Sequence, residues 1–72
     1  MDRFQEMRVL LAVTEAESFA GGAKLLGISP PSVTRAVAAL EARLGTLLLA
    51  RNTRSLRLTE AGQRYVEDCR RI

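Results

Sequence analysis

Length, composition and charge limit this chain to one small folded domain. Of its 72 residues, 47% are apolar and 26% are charged, which excludes a disordered tail, and no apolar run approaches the roughly 18 residues of a membrane span. The net charge of +3 is uneven: residues 1–34 carry three basic and four acidic side chains (−1), and residues 35–72 carry eight and four (+4). Ten of the eleven basic residues are arginines, which fits either a polyanionic partner or a solvated basic surface.

The first predicted helix covers residues 2–16, and the polar stretch EAES ends it. At helical spacing, the apolar positions on one of its sides are Phe4, Met7, Leu10, Leu11 and, as a further candidate, Thr14. We expect this side to face the core.

A short second helix is predicted from Phe19 to Leu26, with Gly27 ending it in a left-handed conformation. Gly21 and Gly22 lie at its centre, where each glycine costs about 1 kcal/mol relative to alanine. They indicate either the close approach of another helix or plain tolerance by the surrounding packing.

The third predicted helix begins at a Pro-Pro pair. Ser29 is a good N-cap, so Pro30 takes the first helical position and Pro31 the second, where the missing N–H groups are among those that a helix leaves unpaired. The Ser29 hydroxyl is then expected to accept a hydrogen bond from the amide of Ser32. Because a proline disfavours a helical conformation in the residue before it, a start one residue later is the alternative.

This third helix has one apolar side and one side of small residues. The predicted buried stripe is Val33, Val37, Leu40 and Leu44, with Gly45 ending the helix. The opposite side carries a single charge and consists of Pro31, Thr34, Arg35, Ala38, Ala39 and Ala42. Such a surface leaves room for a partner to lie close.

Two short strands follow, from Leu47 to Arg51 and from Leu56 to Thr59, joined by the polar turn NTRS. Three arginines stand in this hairpin with no acidic residue between them: Arg51, Arg54 and Arg57.

The last predicted helix starts after Thr59 as its N-cap. Its apolar stripe is Ala61, Tyr65, Cys69 and Ile72, and the pattern continues to the end of the sequence. Cys69 is expected to be a small buried side chain, with a redox switch as the alternative, and Tyr65 to pack rather than to stack on a base. Helix, helix, turn, helix and hairpin is the element order of a winged helix-turn-helix, a mainly α fold.

Residues for catalysis or metal binding are missing. The sequence has no histidine, one cysteine, no glycine-rich phosphate loop and only scattered carboxylates, so no nucleophile–base pair and no ligand cluster can be named. We therefore expect no enzyme, no metal and no cofactor in this domain. The single cysteine excludes an intrachain disulfide, and the polar start MDRFQE is unlike a signal peptide, so a cytoplasmic protein is expected.

DNA is the partner that this pattern predicts. A recognition helix enters the major groove with its N-terminal residues against base edges, which here are Thr34 and Arg35. Pro30 and Pro31 either contact thymine methyl groups or only start the helix. Arginines of the wing would reach a phosphate or a narrow minor groove.

From Ser18 to Gly62 the sequence resembles the N-terminal DNA-binding domain of LysR-type bacterial transcriptional regulators. Six motifs carry the resemblance, in order and at fixed spacing: SF, A-x-x-L (Ala23, Leu26), S-x-P-S-V-T-R (Ser29–Arg35), A-x-L-E-x-x-L-G (Ala38–Gly45), L-L-x-R-x-x-R (Leu48–Arg54) and L-T-E-A-G (Leu58–Gly62).

The resemblance implies a winged helix-turn-helix domain over residues 1–59, with the helix-turn-helix at about 19–38 and the wing at about 46–59. Residues 60–72 would start a linker and dimerisation helix, leading in the family to an effector-binding domain that is absent from this chain. A full-length homodimer or tetramer would then read an interrupted inverted repeat of double-stranded DNA and bind a small-molecule effector.

The resemblance also implies residue roles. The residues expected to contact DNA are Ser29, Pro30, Pro31, Ser32, Thr34, Arg35 and Ala38 on the recognition helix, Arg51 on a phosphate and Arg54 in the minor groove. Those expected to serve dimerisation are Tyr65, Cys69 and Ile72.

Three positions depart from the family pattern. Pro30 stands where many members have glutamine, Ala36 replaces a frequent polar residue, and Ala20 takes a position where serine or threonine often contacts phosphate. Direct base reading is therefore expected to depend more on Arg35, Arg54 and DNA shape. A rival hypothesis is a protein–protein module that keeps the winged fold without binding DNA.

Overall fold

The computed structural model describes residues 2–51 and 56–71. Its elements are, in chain order, α1 (Arg3–Ala16), α2 (Phe19–Leu26), α3 (Pro30–Leu44), β1 (Leu49–Arg51), β2 (Leu56–Leu58) and α4 (Glu60–Arg71). The strands pair antiparallel, with Leu49 opposite Leu58 and Arg51 opposite Leu56. The mainly helical winged helix-turn-helix predicted from the sequence is confirmed.

The predicted inner side of α1 was wrong in part. Leu10 is buried as predicted and Leu11 packs against the core, but Phe4 is 70% exposed. The other buried residues are Glu6, Val9, Ala12 and Val13. The pattern missed this because Glu6 is charged, yet its carboxylate is paired with the guanidinium of Arg43 on α3. A buried carboxylate is tolerated when an opposite charge compensates it.

The glycines of α2 reflect the close approach of another helix. A Cβ atom added to Gly22 would lie 2.7 Å from Cγ2 and 2.9 Å from Cα of Val13 on α1, so a side chain there would separate the two helices. The start of α2 is capped by Ser18, whose Oγ accepts from the amide of Gly21 at 2.8 Å. Its end is Gly27, with a φ of 70° in the left-handed region, as predicted.

The third helix starts at Pro30, not one residue later. Ser29 has an extended backbone and its Oγ accepts from the amide of Ser32 at 3.3 Å, so the predicted cap is confirmed. Val33, Val37 and Leu40 are buried as predicted, but Leu44 is 43% exposed. Leu44 lies beside the C-terminal Gly45 at an open groove between α1 and α4, where neither helix covers it fully.

Both predicted strands were too long at the ends that meet α4. The Leu47 carbonyl accepts from the Thr59 hydroxyl at 2.7 Å, and the Leu48 carbonyl accepts from the Thr59 amide at 2.9 Å. These groups are used by the cap of α4 rather than by a strand ladder. Thr59 also accepts from the Gly62 amide through Oγ1 at 2.9 Å, as expected of an N-cap. The predicted NTRS turn lies outside the described residues.

The core lies between α1, α2 and α3 and extends under β1 to α4. Its buried members are Val9, Leu10, Val13, Ala23, Val33, Ala36, Val37, Leu40, Leu48, Leu49 and Val66. On α4, Gly62 and Val66 are buried, while the predicted stripe members Ala61, Tyr65 and Cys69 are only half-buried. None of the helices described here is both long and apolar enough to cross a membrane.

Candidate nucleic-acid interface

The N-terminal half of α3 presents an exposed surface with one charge. Pro31, Thr34, Arg35 and Ala38 are all exposed, and Ala39 and Ala42 continue the same side. Ala36 is 2% exposed and belongs to the core, so its departure from the family pattern does not alter this surface. The buried side of α3 thus holds the helix in place while the small-residue side stays open.

Hydroxyl groups surround the start of this helix. The Oγ atoms of Ser29 and Ser32 lie 2.8 Å apart and share a hydrogen bond, so one of the two hydroxyl hydrogens remains available to an outside acceptor such as a phosphate. The Thr34 hydroxyl donates to the Pro30 carbonyl at 3.3 Å. Thr34 is exposed, and its hydroxyl oxygen can still accept from a base amino group.

Arg35 is exposed on the same side as Thr34. Across the described residues no carboxylate lies within ion-pair distance of its guanidinium. Its five N–H donors are therefore available for a bidentate contact with a guanine edge or a phosphate.

Arg51 ends β1 and lies over the ring of Phe19, the first residue of α2, with Cζ 4.5 Å from the ring centroid. The sequence singled out Arg51 and missed its partner. The phenylalanine belongs to the SF motif, but spacing along the chain gives no sign that two residues so far apart meet.

Glu41 connects α3 to the start of β1. Its Oε2 accepts from the amides of Leu48 at 2.8 Å and Leu49 at 3.2 Å, where the chain enters β1. The sequence pattern assigned no role to Glu41, which was one of its scattered carboxylates. Its place in the A-x-L-E-x-x-L-G motif, just before the Gly45 turn, was the signal available.

Of the other two arginines of the hairpin, the structure describes Arg57 and not Arg54. Arg57 is exposed on β2, opposite Ala50 of β1. Arg54, assigned to the minor groove by the resemblance, lies outside the described residues.

The residues assigned to dimerisation border a groove between α1, the end of α3 and α4. Tyr65 and Cys69 line it together with Met7 and Leu44, and Ile72 lies outside the described residues. Burial, and secondarily the neighbouring Cys69, raises the pKa of the Tyr65 hydroxyl. Burial also raises the pKa of the Cys69 thiol, an effect that the Tyr65 hydroxyl partly offsets, so near neutral pH the unreactive thiol form is favoured.

Among residues 2–51 and 56–71, no three histidine, cysteine, aspartate or glutamate side chains gather where they could hold a metal ion. The exposed side of α3 and its start offer hydroxyl groups, one arginine and small apolar groups.

Comparison with known proteins agrees on one family. The family model for bacterial regulatory helix-turn-helix proteins of the lysR family matches residues 4–63. The HTH-type transcriptional regulator TcbR of Pseudomonas sp. (strain P51) is 46% identical over 69 residues, covering 96% of this chain and 24% of that protein. The chain thus spans about a quarter of this curated relative's length.

Two similar solved structures contain DNA. The complex of the CbnR DNA-binding domain with DNA has a TM-score of 0.91 and 45% identity, over 99% of this chain and 80% of that one. The complex of the BenM DNA-binding domain with catB site 1 DNA has a TM-score of 0.91 and 31% identity, over 99% and 79% of the two chains.

Proposed function

The chain belongs to the lysR family of bacterial regulatory helix-turn-helix proteins, and from that premise we propose that it binds double-stranded DNA sequence-specifically as the DNA-binding domain of a transcriptional regulator. One observation carries the proposal. The exposed side of α3 has Arg35 as its single charge, and Glu41 of the same helix holds the start of the arginine-bearing hairpin through a hydrogen bond. Related domains of similar fold are described in complex with DNA.

In the proposed complex, the N-terminal half of α3 lies in the major groove. Arg35 would read guanine or hold a phosphate, and Thr34 would accept from a base amino group or contact a thymine methyl group. Pro30 and Pro31 have no amide hydrogen to offer a phosphate, so their contribution is apolar contact. The small side chain of Ala38 would allow the helix to lie close to the base edges in the major groove.

Backbone contacts would surround these base contacts. The spare hydroxyl hydrogen of the Ser29–Ser32 pair would go to a phosphate, as would the guanidinium of Arg51. Arg54 is assigned to the minor groove on the resemblance alone.

The rest of the proposal concerns the full-length regulator. Residues 1–59 would form the DNA-binding domain, and residues 60–72 would start a linker helix that pairs with a second copy through Tyr65, Cys69 and Ile72. The half-buried state of Tyr65 and Cys69 beside an open groove supports this pairing. A dimer or tetramer would then read an interrupted inverted repeat.

The curated relative TcbR is about four times longer than its matched region, which leaves room for an effector-binding domain. The full-length protein would bind a small-molecule effector, work in the cytoplasm and catalyse no reaction, consistent with relatives that are transcriptional regulators.

Selection of binding sites from a randomised duplex pool at moderate salt tests the proposal. We expect enrichment of an interrupted inverted repeat and a steep loss of affinity as salt rises, because each phosphate contact releases counterions. Weak, salt-insensitive binding without enrichment would favour the rival protein–protein module. If binding is salt-sensitive but no site is enriched, the selection is repeated with a chain that has a longer linker helix. Enrichment with the longer chain would show that the 72-residue chain forms too weak a dimer.

A further inference from the structure

The ring of Phe19 is held firmly at the start of α2. The residue follows the capping Ser18, and its side chain packs against the hydrophobic core while remaining half-exposed. The exposed part of the ring carries the guanidinium of Arg51 at 4.5 Å, within the range of a cation–π contact.

The backbone of Arg51 is also fixed. It is the last residue of β1, which pairs with β2, and the first residue of that strand, Leu49, donates its amide to Glu41. The arginine side chain itself is exposed and long. Without a support, such a side chain would have to be ordered when it bound a ligand, and that loss of freedom opposes binding.

The cation–π contact with Phe19 lowers this cost and leaves the hydrogen-bond donors unused. A guanidinium that lies on an aromatic ring contacts it with its planar face, so the N–H groups along its edge still point outward. A phosphate oxygen accepts from that edge. A ring beneath the guanidinium therefore sets where the phosphate contact is made.

We propose that Phe19 is a positioning residue for DNA binding, which holds the Arg51 guanidinium in place for a backbone phosphate. The inference rests on the proposed function and adds to it a residue that contacts no DNA group itself. The contact between Phe19 and Arg51 joins the start of α2 to the end of β1, so both elements contribute to one phosphate contact.

A double-mutant cycle tests the proposal with the 72-residue chain and a short mixed-sequence DNA duplex over a salt series. Arg51→Ala is expected to weaken binding and to reduce the slope of log affinity against log salt by about 0.9, the loss of one phosphate contact. Phe19→Leu is expected to weaken binding about two- to fivefold, in line with an exposed cation–π contact. In the Arg51→Ala background, Phe19→Leu is expected to have no further effect.

Phe4→Leu is the matched control, because it makes the same change at a ring of α1 that is 70% exposed and that has no cation–π contact with Arg51 among the described residues. It should leave the affinity unchanged. If Phe19→Leu causes the same loss with and without Arg51, Phe19 acts through packing alone and the positioning role is overturned.

A fluorinated phenylalanine series at position 19 keeps the test decisive if Phe19→Leu does not fold. Fluorination preserves the shape of the ring while weakening its attraction for a cation. A stepwise loss of affinity with fluorine content at unchanged melting temperature supports the proposal, and unchanged affinity overturns it. If the wild-type chain shows no salt-dependent DNA binding, the proposed function itself is wrong, an outcome that differs from either result of the series.

Discussion

The helical unit, residues 2–45, and the wing segment, residues 46–51 and 56–71, are held in place by different means. The helical unit is held by apolar stripes that repeat along each helix, such as Val33, Val37 and Leu40 on α3. Outside its share of that core, the wing segment is held by individual hydrogen bonds. Glu41 of α3 accepts from the amides at the start of β1, and within the segment the Thr59 hydroxyl donates to the carbonyl of Leu47.

This difference separates the two effects that a substitution can have. An exposed residue on the small-residue side of α3, such as Thr34 or Arg35, has no role in the packing, so changing it should alter DNA binding and leave the fold intact. A residue that holds the wing segment in place makes contacts that few other residues make. Changing it should therefore lower the stability of the domain, and any effect on DNA binding would follow from that loss. Four predictions test this separation, from the largest expected effect to the smallest.

Gly62→Ala is expected to destabilise the domain by about 3 kcal/mol, because the added Cβ would collide with the backbone carbonyl of Leu48. The sign is informative, since in an ordinary helix the same change stabilises by about 1 kcal/mol. Gln63→Ala, at an exposed neighbouring position, is the control and should shift stability by less than about 0.5 kcal/mol. Thermal unfolding measures both, and an unchanged melting temperature for Gly62→Ala would show that α4 packs loosely against the backbone of Leu48.

Glu41→Ala is expected to cost about 2 kcal/mol, because the amides of Leu48 and Leu49 lose their shared acceptor in a buried setting. Glu41→Gln, which keeps one acceptor oxygen, should lie between this variant and the wild type. Denaturant unfolding gives the free energies, and hydrogen exchange at the two amides locates the effect. If both variants were as stable as the wild type, the attachment of the wing would have to reside elsewhere.

Local features of the sequence were enough to predict much of the helical unit. The bounds of α2, its end at Gly27 and the Ser29 cap of α3 were predicted because a cap and a helical period are properties of neighbouring residues. The exposed side of α3 followed from the same period, so the structure places Thr34 and Arg35 where the sequence put them.

Pairs of residues distant in the chain account for what the sequence missed. The inner side of α1 was partly wrong because Glu6, a charged residue, is buried where it pairs with Arg43 of α3. The contact between Phe19 and Arg51 likewise exists only once α2 and β1 have been brought together. A single sequence indicates the hydrophobic periodicity and the secondary-structure propensity of each segment. It does not indicate which segments distant in the chain come into contact.

Arg35→Ala is expected to show the opposite signature to the wing variants. Its loss should weaken binding to a selected site by about 1.5 kcal/mol and relax the base preference at one position, while the melting temperature stays unchanged. Arg70→Ala removes the same charge from an exposed position on α4 and serves as the control. Binding curves on selected and base-substituted duplexes measure the effect, and equal losses for both variants would reduce Arg35 to a contributor of charge alone.

The smallest expected effect concerns pH and the half-buried side of α4. Because burial raises the pKa of the Cys69 thiol, the folded state keeps a proton that the unfolded chain loses at lower pH. The thiol therefore contributes its stability below its ordinary pKa, and that contribution is lost as pH rises through the raised value; Tyr65 acts in the same direction at higher pH. Unfolding free energies measured from neutral to alkaline pH should fall slightly less in Cys69→Ala than in the wild type. Identical pH profiles would mean that the groove beside Cys69 is open enough for water to solvate the thiolate, so that folding leaves the pKa of the thiol at its ordinary value.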